Sequence, residues 1–267
     1  MERRVDRNLL AYWPDKEARL EAAHVLDKVD LCRHTDVPQL TAFLSPALHT
    51  WCTGILRTQR LVYVAAGGFA EAERVRLLIG MPGQHLSAET ARVGLLWVRS
   101  DDSTENLEHR QLLGSLLGLG LKREVVGDIR TGHGGMYVAV TEEAIPFVLQ
   151  HWTKAGRARV KVELWAGDRL ELQEDDGEER RFTVASLRLD AILSGGFGVS
   201  RSQAQEMINQ GRVKRNGLVV VKPDQELKPG DTVSCRGKGR LRLMTDEGVT
   251  RKGRVALRVA VWRTKRL

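Results

Sequence analysis

The chain has 267 residues, 28% of them charged and 42% apolar, with a formal net charge of +8; this balance describes a globular protein, neither disordered nor membranous, and suits one large domain or two to three small ones. The longest nearly uncharged apolar run, residues 61–70, is half of the roughly 20 residues a bilayer span needs, and the mixed-charge N-terminus lacks a secretory core, so a cytoplasmic protein without membrane attachment is expected. Cys32, Cys52 and Cys235 are too scattered for a disulfide framework or a C-x-x-C zinc pair, so reduced, half-buried thiols and no metal or cofactor are expected.

Residues 14–31 place Ala18, Ala22, Val25, Leu26 and Val29 on one face at helical spacing. A second helix begins where Ser45 can cap and Pro46 takes the first helical position. "RLVYVAAGG" reads as a short strand closed by Gly67-Gly68, and "FAEAERVRLLI" as the next helix. From about Ala91 the order becomes specific: strand "RVGLLWV", helix "ENLEHRQLLGSLLGLG", strand "REVVGDI", a glycine turn, then strand "GMYVAV". A helix "TEEAIPFVLQHW" follows, opening on Thr141 with acids in its first turn, and strand "RARVKVEL" closes the unit.

That β-α-β-β-α-β order is the ferredoxin-like pattern, which specifies a fold better than a function. The acidic stretch "WAGDRLELQEDDGEERRF" ends it. The expected architecture is α+β. A partly helical N-terminal α/β region covers 1–90, a ferredoxin-like central domain 91–165, a linker 166–182 and a small C-terminal module with a β extension 183–267.

Charge concentrates in that last module. Residues 183–267 hold 18 Lys and Arg against 7 Asp and Glu, a net +11, so with +8 for the whole chain residues 1–182 carry −3. Such segregation points to a polyanion, and without an amphipathic basic helix bearing bulky apolar anchors the polyanion is nucleic acid rather than membrane. Ser200 and Gln203 form a capping box; Ala204, Met207 and Ile208 take the buried side, and Arg201, Ser202, Gln205 and Asn209 the exposed one. Gly211 suits the left-handed end of the helix. Arg212, Lys214 and Arg215 follow, and Asn216-Gly217 signals a tight hairpin. "KPGD" turns the chain into "TVSCRGKGRLRL". The expected RNA contacts are Arg188, Ser200, Arg201, Ser202 and Gln205 around the helix start, Arg212, Lys214 and Arg215 on the hairpin, and Arg236, Lys238 and Arg240 beyond it.

"SLRLDAIL…VSRSQAQEMINQGRVKRNG…KPGDTVS" resembles the S-four RNA-binding domain, whose pattern is matched at Arg188-Leu189-Asp190, Ser200-Arg201, Ala204, Ile208, Gly211, Val213, Asn216-Gly217 and Gly230-Asp231. Arg215 departs from it, since an apolar residue is usual there; it either turns outward toward phosphate or loosens the strand. "GGFAEAERVRLLI", "EHRQLLGSLLGLGLKREVVGDI" and "RGKGR" resemble the YlmH-type proteins, over roughly residues 15–265. The resemblance implies binding of structured rRNA or tRNA at the ribosome, on large-subunit complexes with a stalled peptidyl-tRNA, that is, ribosome-associated quality control. A monomer is expected.

Enzymatic readings fit less well. Pseudouridine synthases join an S-four domain to a catalytic R-L-D, which would make Asp190 a nucleophile; but this R-L-D opens the S-four domain itself, and no second one precedes it. "VYVAAGGFAEAER" lacks the third glycine and the acidic strand end of a nucleotide-cofactor loop, and "RTGHGGMYV" lacks a Walker lysine. His109 and His133 have no partner at motif spacing. A non-catalytic binding protein is expected, with a protein-interaction adaptor as the third class. In the central domain Arg110, Lys122, Arg123 and Arg130 offer a basic loop, and Tyr137 the single aromatic for base stacking on its strand.

Overall fold

Asp15 opens the first helix by accepting the Ala18 amide, and α1 (Lys16–Thr35) buries Ala22, Val25, Leu26, Val29 and Cys32 along one stripe. The structure, a computed structural model, describes residues 4–13, 15–102, 107–167, 170–172 and 177–263. They fall into two compact units, 1–174 and 175–267. None of the described helices is long and apolar enough to cross a membrane.

In the first unit β1 (Gln39–Leu40) follows α1, and Ser45 and Pro46 start α2 (Pro46–Thr58) as expected. β2 (Val62–Ala66) and β3 (Arg76–Gly80) complete a three-stranded antiparallel sheet in the order β1-β3-β2. The helix expected over 69–79 does not form. The chain turns there and enters β3, whose five residues are all buried between two partner strands. A run buried on both faces has no polar alternation to mark it as a strand, so periodicity could not separate the two readings.

The ferredoxin-like expectation holds. β4 (Val93–Ser100), α3 (His109–Gly118), β5 (Val126–Gly132), β6 (Gly135–Thr141), α4 (Ile145–His151), a two-residue β7 (Lys154–Ala155) and β8 (Ala158–Leu164) build an antiparallel sheet ordered β5-β6-β4-β8-β7. The helix expected from Thr141 is shorter: a 3₁₀ turn spans Glu142–Ala144, and Pro146 sits in the first turn of α4, where a proline's missing N–H costs nothing. Residues 105 and 106 of the other expected helix lie outside the described residues. α3 and α4 cover one sheet face, where Leu96, Val98, Leu112, Leu116, Val138, Val148 and Trp152 form a core.

The other face is covered too. Phe43 and Phe69, from the N-terminal region, pack with Tyr137 and Ala139 against Leu95, Trp97 and Trp165. Asp128 on β5 accepts the backbone N–H groups of Glu73 and Arg74 at 2.6 and 3.2 Å, and the Phe43 amide donates to Glu124 at 2.9 Å. The two regions expected to divide near residue 90 therefore share one packed unit.

The second unit contains β9 (Glu178–Val184), α5 (Leu189–Phe197), α6 (Arg201–Asn209), β10 (Val213–Arg215), β11 (Leu218–Val219), β12 (Thr232–Cys235), β13 (Gly239–Val249) and β14 (Val255–Arg263). All pairings in its six-stranded sheet are antiparallel, in the order β11-β10-β12-β13-β14-β9. β9 begins inside the stretch expected to be linker and pairs with β14 from Glu178 to Val184. Leu189, Ile192, Leu193, Phe197, Ala204, Met207 and Ile208 of the two helices pack on Val213, Val233, Leu241, Val259 and Val261. The helices thus occupy one face of the sheet, and residues of opposite parity point away from them.

Candidate nucleic-acid interface

The α6 capping box forms as its sequence predicts. Ser200 Oγ accepts the Gln203 amide at 3.1 Å, and Gln203 Oε1 accepts the Ser200 amide at 3.0 Å. With the helix start fixed, Arg201 and Gln205 lie one turn apart on a common face. That face meets Asp190, in the first turn of α5, whose side chain has no solvent exposure.

Three side chains converge on this carboxylate. Arg188 Nε and Nη2 donate to Oδ1 and Oδ2 at 3.2 and 3.1 Å. Arg201 Nε and Nη2 donate to Oδ2 and Oδ1 at 3.2 and 3.4 Å, and Gln205 Nε2 to Oδ2 at 2.8 Å. Burial alone would raise the Asp190 pKa, but the hydrogen bonds from Arg188, Gln205 and Arg201 outweigh it and hold the carboxyl far below the usual range. Arg188, Arg201 and Gln205, all expected as RNA contacts, are gathered around one carboxylate. Two guanidinium groups thus share one carboxylate, and Asp224 adds a further negative charge near Arg188. Ser200 and Ser202 are exposed beside it, their hydroxyl oxygens 3.0 Å apart.

A second carboxylate explains Arg215. Its register partners are Val233 and, one strand further, Leu241, both in the core, so Arg215 lies on the helix side of the sheet. There Asp231 accepts Arg215 Nη2 at 2.6 Å, Asn216 Nδ2 at 2.7 Å and the Lys228 amide at 2.7 Å. Burial opposes ionisation of Asp231, yet these donors pull its pKa below the ordinary value. Arg215 neither turns outward nor loosens the strand; it is half of a local ion pair. Asn216 (φ 49°) and Gly217 (φ 86°) supply the two positive φ angles of the tight hairpin.

The other expected contacts lie on the sheet and its rim. Lys214, Ser234, Arg240 and Trp262 are successive register partners across β10, β12, β13 and β14, a row on the face away from the helices. The Arg240 guanidinium stacks 4.4 Å above the Trp262 ring. Arg242, two residues on, shares this face and is exposed. The Arg212 carbonyl and guanidinium abut the β12–β13 turn: Arg236 N–H donates to the Arg212 carbonyl at 2.9 Å, and Arg212 Nη2 to the Arg236 carbonyl at 3.0 Å. Arg212, Arg236 and Lys238 therefore cluster at one end of the row. Among the described residues Lys214, Arg236, Lys238 and Arg242 form no ion pair. The expected single cationic surface is thus two groups, one around Asp190 on the helix side and one on the outer sheet face.

In the first unit the basic loop does not assemble. Arg123 is turned in, its Nη1 donating to the carbonyls of Val126 and Gly127, and burial together with the nearby Arg74 lowers its pKa to about 10. Arg130 donates to the Glu71 carbonyl at 2.8 Å, whereas Lys122 is 81% exposed beside Glu124. Arg110, His109 and His133 are exposed. Tyr137, the expected stacking residue, is 2% exposed, wedged against Trp97 and Trp165 at 4.4 and 5.0 Å between ring centroids, and has no face open to a base.

Three family models match consecutive stretches: "YlmH, N-terminal" over residues 17–84, "Putative RNA-binding domain in YlmH" over 89–167, and the S4 domain over 187–233. The ribosome-associated protein quality control protein P2 of Bacillus subtilis (strain 168) is 34% identical over 216 residues, 80% of this chain and 83% of that protein. The chain belongs to the YlmH family. A solved structure of cell division protein ylmH from Streptococcus pneumoniae, 19% identical, superposes with a TM-score of 0.50 over 57% of this chain and 92% of its own, which shows the shared fold. Two further relatives share only the S4 stretch. One is an uncharacterized RNA pseudouridine synthase of Aquifex aeolicus (strain VF5), 42% identical over 20% of this chain and 22% of its own. The other is the small ribosomal subunit protein uS4 of Thermosipho africanus (strain TCF52B), 35% identical over 24% of this chain and 32% of its own. In this YlmH-family chain β13 and β14 lie beyond the matched S4 stretch and carry Arg240, Arg242 and Trp262. Arg242 is an addition to the expected contacts, and its signal lies in "RLRL", which alternates at the strand period and puts Arg240 and Arg242 on one face.

Proposed function

We propose that this YlmH-family chain is a non-catalytic binder of structured RNA, rRNA or tRNA on the large ribosomal subunit, acting as a cytoplasmic monomer in ribosome-associated quality control. The observation that carries it is the outer sheet face. Lys214 and Arg242 stand there with Arg236 and Lys238 at the rim, all without carboxylate partners among the described residues. Unneutralised cations on a rigid sheet suit phosphate and shape recognition, because the deep major groove of A-form RNA is closed to side chains. The name of the Bacillus subtilis relative supports the ribosomal setting.

The test is binding of the purified protein to large subunits. Lys214→Ala with Arg242→Ala should weaken co-sedimentation at least tenfold at moderate salt, two phosphate contacts being removed. Wild-type behaviour of that double variant would remove this face from consideration. The synthase reading is opposed by Asp190, whose two oxygens already take five hydrogen bonds from side chains. Cells carrying Asp190→Asn should keep every pseudouridine; loss of one, with the protein folded, would restore an enzymatic role.

A further inference from the structure

A buried negative charge is the last group expected between two arginines of an RNA-binding surface. We propose that Asp190 is a positioning residue for a phosphate site, gripping one edge of Arg188 and one of Arg201 so that their opposite edges meet a single phosphodiester. A guanidinium has two bidentate edges, Nε with Nη2 and Nη1 with Nη2. Both arginines give the Nε–Nη2 edge to Asp190, at 3.1–3.4 Å. Neither Nη1 has a hydrogen bond or ion pair among the described residues. Side-chain exposure is 34% for Arg188 and 52% for Arg201 against 0% for Asp190, so the arginines reach solvent and the carboxylate does not.

The clamp is itself held. The Asp190 amide donates to the Pro223 carbonyl at 3.0 Å, and Gln205 fixes Oδ2 at 2.8 Å. The Ser200 and Ser202 hydroxyls at the α6 start add neutral donors next to Arg201. A guanidinium locked in this way loses little side-chain freedom on meeting phosphate, which is where pre-organisation raises affinity.

This inference rests on the RNA-binding reading, and its test separates the two. Full-length wild type, Asp190→Asn, Arg201→Ala and the double variant are titrated with a fluorescent structured rRNA fragment across a salt series, each after a thermal melt. Asp190→Asn makes the chain more positive by one unit, so bulk electrostatics predicts equal or tighter binding. Positioning predicts the reverse: about tenfold weaker binding, with a salt slope shallower by about 0.7–0.9, and little further loss when Arg201→Ala is added. A folded Asp190→Asn that binds as well as wild type overturns the proposal. Should Asp190→Asn melt below the assay temperature, Gln205→Leu, which loosens the clamp at constant charge, decides the matter: binding about threefold weaker supports it, and wild-type affinity overturns it. A wild-type chain without measurable RNA affinity overturns the RNA-binding reading, and this inference with it.

Discussion

A carboxylate taken out of water must find donors inside the protein, and both Asp190 and Asp231 find theirs in basic and amide groups from across the S4 unit. Removing such an acceptor strands its donors. Asp231→Ala leaves Arg215, Asn216 and the Lys228 amide without their partner, and is expected to destabilise the unit by about 2–4 kcal/mol, read from the urea midpoint. Both folded pKa values lie below the ordinary 3.8, so the unfolded chain takes up protons first as pH falls. The stability from each pair is complete above about pH 5 and disappears as pH drops through 3.8 toward the depressed folded values. Stability measured from pH 6 to pH 3 should therefore fall below about pH 4 in the wild type, and less steeply in Asp231→Asn. Neither hub was legible in the sequence, because Asp190 meets partners 11 and 15 residues away. The "R-L-D" spacing named the residues but not their contact.

At the scale of elements, sequence periodicity served well wherever one face is wet. α1, α2 and α6 alternate buried and exposed residues at helical spacing, and the caps at Ser45 and Ser200 were readable from residue type, whereas the Asp15 cap of α1 fell inside the helix expected from residue 14. β3 failed that test, being dry on both sides, and β9 was hidden because a largely exposed edge strand that opens on two Glu and two Arg has the composition of a linker. Glycines carry constraints that neither period reveals. At Gly239, φ is +124° and an added Cβ would lie 1.9 Å from the Trp262 carbonyl oxygen on the paired strand. At Gly132 a Cβ would come within 2.5 Å of the Tyr137 ring and 2.9 Å of Trp97. Gly132→Ala is expected to cost about 1–3 kcal/mol through overpacking. Gly239→Ala should cost more, since the obstacle is backbone on a paired strand and the φ angle excludes an L side chain. Chemical denaturation of each variant measures both.

At the scale of the whole molecule, the two units are built among the described residues on separate sets of core residues. The first unit is built on the two faces of the ferredoxin-like sheet, and the second on a sheet backed by α5 and α6. The second unit, residues 175–267, holds 20 Lys and Arg against 11 Asp and Glu, a net +9, against −1 for residues 1–174, so screening by salt acts chiefly on the second. Because each core closes on its own residues, the units are expected to unfold in two transitions rather than one. Five of the six tryptophans belong to the first unit, which leaves Trp262 alone in the second, stacked with Arg240. Tryptophan fluorescence therefore follows mainly the first unit, while Trp262→Phe subtracts the signal of the second. Gly132→Ala should lower the fluorescence midpoint and leave the second transition, followed by circular dichroism, in place. Asp231→Ala should do the opposite. A single transition that both variants shift equally would show that the two units fold as one cooperative whole, and that the S4 unit draws its stability from the entire chain.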